Sequence, residues 1–272
     1  MEIYKKIKKN FEGIYKACGN KFWYSCGSYL IDGENYKYDQ RMLKKQILLY
    51  NLAKKNKSIL EVGVYMGHSM LLMLTSNPKL RILGLDADKR FAPKSIKYLK
   101  EKFPKSKINF TLGDSIKSLK KLNKSFDLYH IDGDHRPKKI YKEIIECIRL
   151  TKKDIIKILF DDVDMMLNVE ASLFKCFRVI KFIKPDSRYR NLYVELKLDE
   201  KSIKKFKNNY YIFLFIDFPK SYLLPFIKNI LRTIVKYTLG KKISHNLGKL
   251  INKYFTNKYL KILAVKLKNI KN

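Results

Sequence analysis

From Ser58 to Leu198 the chain alternates between short apolar runs and stretches of helical period, and this alternation limits the possible folds more than any other feature. The runs at 58–62, 81–86, 108–112, 126–131 and 155–160 read as strands. Helical stretches follow them at 68–76, 92–102, from 115 to about 121, 138–150 and about 164–174. Five strand–helix units in a row imply a parallel sheet with helices on both faces. Right-handed crossovers then leave little choice of topology. Two further β-type runs, FRVIKFI at 177–183 and LYVELKL at 192–198, flank the polar stretch PDSRYRN and read as an antiparallel hairpin closing the sheet. Residues 40–55 precede the first strand with apolar positions Met42, Leu43, Ile47, Leu48, Leu49 and Leu52 near helical period.

The first of these units, SILEVGVYMGHS at 58–69, joins a buried strand to a helix through Gly63 and Gly67. Glycines there let the backbone approach a ligand, and the amides of the helix start would face it. A glycine turn of this kind also builds plain α/β units with no ligand.

Residues 1–38 read as an N-terminal cap, with a short helix at 2–10 and then loops rich in tyrosine. The stretch GSYLIDGENYKYD within it is either a substrate-contacting arm or packing at the sheet edge. Cys18, Cys26, Cys147 and Cys176 form no CxxC pair, so neither a zinc cage nor a disulfide framework is suggested. No apolar run approaches the roughly 20 residues needed to span a bilayer, and MEIYKKIKKNF lacks the apolar core of a signal peptide. A cytoplasmic location, peripheral to a membrane, is the expectation.

The net charge of +34 admits nucleic acid, anionic membrane or acidic glycan as partners. The excess is mostly lysine, however, whereas phosphate-reading surfaces favour arginine. Residues 209–217 read as one more strand, and from Phe218 to Asn272 there is no acid at all. Apolar residues recur there at spacings of three and four with lysines between, the pattern of basic amphipathic helices. The C-terminal extension is counted from 199, and its tail from about 218 onward is expected to lie on anionic lipid or a partner surface, or to shield a sheet edge as a solvated appendage.

Acids stand at the carboxyl end of every predicted strand of the alternation: Glu61, Asp86, Asp114, Asp132 with Asp134, and Asp161 with Asp162. The ligand crevice of an open parallel sheet lies at those ends. Helix capping accounts for one such acid, and by itself covers Asp114, but not for acids at all five ends of a strongly cationic chain.

With these residues the chain resembles the class I S-adenosylmethionine-dependent methyltransferases, and among them the small-molecule O-methyltransferases of the methyltransferase-24 type. The resemblance rests on EVGVYMGHS at 61–69, GLDAD at 84–88, GDS at 113–115, FDLYHIDGDH at 126–135 and LFDDV at 159–163, and covers about residues 40–198. It implies a Rossmann-like, doubly wound sheet in the order 3-2-1-4-5-7-6. It implies that Glu61, Gly63 and Gly67 line the methionine end of S-adenosylmethionine, with Ser69 on its carboxylate. Asp86 would accept the ribose hydroxyls, Asp114 and Ser115 would sit by the adenine, and Asp132 would lie near the methyl donor with His135 close behind. Val64 and Tyr65 inside the turn depart from the tighter GxGxG form.

The resemblance further implies that Asp132, Asp161 and Asp162 hold a divalent cation such as Mg²⁺. A hard cation takes oxygen ligands and would relieve repulsion among three neighbouring carboxylates. It would bind a substrate diol and lower the pKa of one hydroxyl, with Asp134 as general base. The alternative is that Asp162 caps a helix and Asp161 bonds a backbone amide, which makes Asp134 or His135 the base. His68 is expected to pack at a helix start and His130 in the core. His245 has no visible partner. Trp23 and the tyrosines at 24, 29, 36 and 38 either stack on a substrate ring or pack the core.

The expected activity is methyl transfer from S-adenosylmethionine to a hydroxyl, with a sugar or glycan diol as the favoured acceptor. An RNA or other nucleic-acid methyltransferase would explain the charge, but no aromatic–basic interleaving gathers near the site. A non-catalytic membrane- or partner-binding module is the third reading. The sequence does not give the oligomeric state.

Overall fold

The computed structural model describes residues 2–162, 169–185 and 191–208. It places the alternation as expected. The strands are β1 (Ser58–Val62), β2 (Arg81–Asp86), β3 (Lys107–Leu112), β4 (Leu128–Ile131), β5 (Ile155–Phe160), β6 (Arg178–Ile183) and β7 (Leu192–Lys197). They form one sheet in the order β3-β2-β1-β4-β5-β7-β6. The first five strands of that order are parallel, and β7 runs antiparallel to both β5 and β6. The hairpin places β7 inside the sheet and β6 at its edge, so β7 is mostly buried and β6 mostly exposed.

The helices are α1 (Glu2–Ala17), α2 (Leu43–Lys55), α3 (His68–Ser76), α4 (Ala92–Lys102), α5 (Ser115–Lys120), α6 (Pro137–Leu150), α7 (Val169–Cys176) and α8 (Glu200–Asn208). Strand side chains alternate between the two sheet faces, so each face makes its own core. Ile59, Ile82, Ile108, Leu128 and Leu159 pack with α1, α2, α3 and α4. Leu60, Leu83, Tyr129, Ile131 and Ile158 pack with α5, α6, α7 and α8. The strands β1 and β4 at the centre of the sheet are buried on both faces. Each fully buried aliphatic side chain contributes about 1.5–3 kcal/mol.

The N-terminal helix is longer than the expected 2–10 and runs through Gly13 to Ala17. Ile7, Phe11 and Ile14 form its buried stripe. Gly13 lets α4 close on it: a Cβ there would stand 2.0 Å from the Tyr98 Oη. In α2 the buried stripe includes Lys45 and Gln46, whereas Ile47, expected inside, is 41% exposed. The helix expected at about 164–174 is described only as α7, since 163–168 lie outside the described residues, as does most of the stretch 185–191. The expected strand at 209–217, the tail at 218–272 and His245 also lie outside them.

Candidate active site

β1 ends in a tight turn in which Gly63 has φ +89 and donates its N–H to the Leu85 carbonyl at 2.8 Å. A side chain at 63 is excluded, because a Cβ would lie 2.0 Å from the Asp132 carbonyl oxygen. The loops after β1 and β4 therefore touch through backbone. Asp86, at the end of β2, holds the rest of the turn. Its Oδ2 accepts the N–H groups of Val64 at 2.8 Å and Tyr65 at 2.6 Å, and its Oδ1 accepts that of Asp88 at 2.7 Å. One of the carboxylate's roughly four lone-pair positions remains for a ligand. Gly67 closes the turn as the left-handed N-cap of α3.

A cavity of about 610 Å³ opens along this carboxyl edge of the sheet. That is the size range of small-molecule and cofactor sites. At the end near β3 it is bounded by Gly113, Ser115, Lys139 and Glu143. Ser115 Oγ donates to Glu143 Oε1 at 2.6 Å, while Glu143 Oε2 is buried without a protein partner. Burial pushes the Glu143 carboxyl up to about 7, against the lowering effect of the Ser115 bond. Asp114 points elsewhere. It caps α5 through the Lys117 N–H at 2.9 Å and pairs with Lys139 at 3.2 Å.

At the other end, ligand atoms of Asp132, His135 and Asp162 lie within 4.8 Å of one another. Burial, and then the Asp161 and Asp162 carboxylates, raise the Asp132 carboxyl well above the usual range. Asp161 itself is turned away from the cavity. It is 2% exposed, and both its oxygens accept from the Lys45 ammonium, at 3.0 and 2.9 Å. Its Oδ1 also accepts the Asp162 N–H at 2.9 Å, which fixes Asp162 at φ +50. Asp134 is forked to the Arg136 guanidinium, which holds its carboxyl below the usual carboxylate range.

The third wall is the arm at 23–29. His68 ties this arm to the glycine turn. Tyr36 donates its hydroxyl to the Phe11 carbonyl, so the 2.9 Å contact with His68 is an N–H donated from Nε2. Nδ1 then accepts from Ser28 Oγ at 2.7 Å. Burial drops the His68 pKa to about 3, which keeps it neutral. Beneath the floor, Asn191 Nδ2 donates to Tyr29 Oη at 2.7 Å, Tyr29 Oη lies 3.0 Å from His130 Nε2, and His130 Nδ1 lies 2.9 Å from Glu61 Oε1. At the rim Trp23 and Tyr24 are 51% and 68% exposed. The Trp23 backbone N–H donates to Tyr65 Oη at 2.8 Å and the Arg90 guanidinium stacks on the Trp23 ring.

A cavity at the carboxyl ends of β1, β2 and β4, lined by acids that follow β2, β4 and β5, is the arrangement that the motif order implied. The sequence profile of the O-methyltransferase family matches residues 39–197, more than half of the chain. The chain belongs to the O-methyltransferase family. Solved structures share the fold. An O-methyltransferase from Bacillus cereus in complex with S-adenosylhomocysteine superposes with a TM-score of 0.51 at 15% identity, over 70% of this chain and 91% of that one. An S-adenosylhomocysteine-bound methyltransferase from Podospora anserina gives 0.52 at 16% identity, over 69% and 88%. No curated protein matches the sequence.

In this O-methyltransferase Gly63, Ser69, Asp86, Ser115, Asp132, Asp134, His135 and Asp162 gather around the cavity. Four expected positions differ, the first being Gly67, which serves as the left-handed N-cap of α3 and does not line the cavity. Glu61 is fully buried below the floor on His130, because the strand pleat turns it into the sheet. Asp114 is a helix cap. The expected metal trio does not assemble, since the Lys45 ammonium has both oxygens of Asp161. Of the aromatic set only Trp23 and Tyr24 are open, whereas Tyr29 is buried and Tyr36 and Tyr38 pack against the core. Sequence reasoning missed Lys45, Lys139 and Glu143. The only signal for Lys45 was a charged residue on the α2 stripe that also carries Leu49 and Leu52.

Proposed function

We propose that this chain transfers a methyl group from S-adenosylmethionine to a hydroxyl of a small molecule. The observation that carries the reading is the orphaned Glu143 Oε2 beside Ser115, at the far end of an acid-lined cavity from His135. A purine base with an exocyclic amine satisfies that acceptor, Asp86 offers its remaining lone pair to a ribose hydroxyl, and Ser69 stands at the methionine end. Carboxylates suit a sulfonium cation in a chain of otherwise large positive charge.

The bound cofactor supplies an electrophilic methyl group. His135 would take the acceptor's hydroxyl proton on an imidazole nitrogen, readying that oxygen for the methyl group S-adenosylmethionine would supply, with S-adenosylhomocysteine as the leaving product. Asp132 and Asp162, beside His135, stabilise the imidazolium that forms. Asp134 is the poorer base because Arg136 lowers its proton affinity. The arm excludes water over the reacting atoms.

The favoured acceptor is a sugar or glycan diol, supported by the exposed ring faces of Trp23 and Tyr24 at the rim. A second reading keeps Mg²⁺, on Asp132, Asp162 and His135. It removes His135 as a base, so the two readings separate in the presence of chelator. The acid-free stretch 218–272 supports docking on anionic lipid. Truncation there should weaken liposome binding, and unchanged binding refutes it. No helix among the described residues is long and apolar enough to cross a membrane.

The deciding experiment is calorimetric titration with S-adenosylhomocysteine, followed by incubation of the enzyme with methyl-labelled cofactor and a panel of carbohydrate and catechol diols, with and without EDTA. Binding, with label transfer that persists in EDTA and disappears in His135→Ala, is the expected result. No heat with S-adenosylhomocysteine would undo the assignment.

A further inference from the structure

We infer that the Lys45 ammonium is the resident cation of the acceptor half of this site, and that it withholds from any divalent ion the carboxylate such an ion would need. The inference rests on the methyl-transfer reading for what the site serves, but its evidence is independent of it. Lys45 is 2% exposed, on the buried stripe of α2 that also carries Gln46, Leu49, Leu52 and Ala53. A lysine is expelled from such a position unless a fixed anion receives it. Here Asp161 receives it with both oxygens, and the Tyr29 ring covers it at 4.4 Å. Its positive charge is felt also by Asp132 and Asp162.

The consequences follow from ligand count. The loops after β4 and β5 carry Asp132, Asp161 and Asp162, and three carboxylates facing one point would suffice for a hard cation. With Asp161 neutralised and turned away, the cavity keeps two carboxylates and an imidazole. Lys45 also works through Asp161 on geometry, because Asp161 Oδ1 accepts the Asp162 N–H and so aims Asp162. Lys45 does not line the cavity. It is a positioning residue that takes over the charge balance of a metal.

The test measures Mn²⁺ binding, by calorimetry and by the loss of the free-ion electron paramagnetic resonance signal, on the metal-free full chain. Wild type, Lys45→Met, Asp161→Asn and the double variant Lys45→Met/Asp161→Asn are compared, each also titrated with S-adenosylhomocysteine. Mn²⁺ should bind wild type weakly and Lys45→Met at least about 10-fold more tightly, because one more carboxylate is released to the ion. The second substitution should reverse that gain. Asp161→Asn alone should leave the weak wild-type binding unchanged. Mn²⁺ binding no tighter in Lys45→Met than in wild type, or wild-type binding that Asp161→Asn weakens, overturns the inference. Should Lys45→Met fail to fold, Mn²⁺ added during refolding should rescue it as a replacement charge, and failure of that rescue also counts against the inference. Absence of S-adenosylhomocysteine binding in wild type would sink the methyl-transfer reading instead, and leave the Mn²⁺ comparison standing.

Discussion

The two halves of the cleft are built on different length scales. Near β2 and β3 the carboxylates are held by partners within a few residues or one strand–helix unit away. Asp86 accepts from residues 21, 22 and 2 positions away, and Asp114 from one 3 positions away. Near β4 and β5 the partners are distant. Lys45 and Asp161 are 116 positions apart, Tyr29 and His130 101, and Asn191 and Tyr29 162. The Asp86 contacts of the first half form between two consecutive strand–turn–helix units, and the Asp114 cap within a single turn. The second half exists only once α2, the arm and the far side of the sheet have come together, so its pairs are buried and a single change there leaves a charge stranded.

That contrast can be broken most forcefully at Lys45. Lys45→Met should cost about 3–5 kcal/mol in urea unfolding, since it strands the buried Asp161 carboxylate, and Lys45→Met/Asp161→Asn should regain most of it. A single variant as stable as wild type would mean that the acceptor half is no more interdependent than the cofactor half.

A second break lies in pH. Glu143 has a folded pKa of about 7 against 4.5 for the free group. The folded state therefore binds the extra proton between those values, and stability falls as pH rises from 4.5 to 7, by about 3 kcal/mol. His68 works in the opposite sense. Its pKa of about 3 lies below the ordinary 6.5, so its contribution is lost as pH falls below 6.5. The difference between wild type and Glu143→Gln, measured by urea unfolding at pH 5, 6, 7 and 8, isolates the first effect. A pH-independent difference would place Glu143 in a solvated site.

Asp86→Ala sharpens the comparison from the other side. It should weaken S-adenosylhomocysteine binding by about 100-fold in calorimetry, through loss of the ribose acceptor and of the two amides that shape the turn. Because that damage is local, Mn²⁺ binding at the other end should be unchanged. The smallest effect is expected at Trp23. Trp23→Ala should alter stability by within about 0.5 kcal/mol, its ring being half exposed, while reducing label transfer to ring-shaped acceptors.

The strands and the glycine turn were legible because they depend on local period and on backbone sterics, whereas the strand order came from the family resemblance. Apolar runs of strand length and the acids after them are written consecutively. The fate of each acid was less legible. Asp114, Asp132 and Asp161 look alike in sequence, yet one caps a helix, one faces the cavity and one is sealed under an ammonium. Glu61 likewise reads as a cleft residue, and the pleat of β1 turns it into the sheet.

The sequence by itself determined that this chain folds as a parallel sheet between two layers of helices, with carboxylates brought to one edge. The hydrophobic period sets the strands, and strand direction sets where they stop. Only the tertiary structure decided which of those carboxylates remain open to a ligand. That choice turns on partners distant in the chain, above all Lys45 of α2, 116 positions from Asp161, whose ammonium pairs with that carboxylate once both are buried.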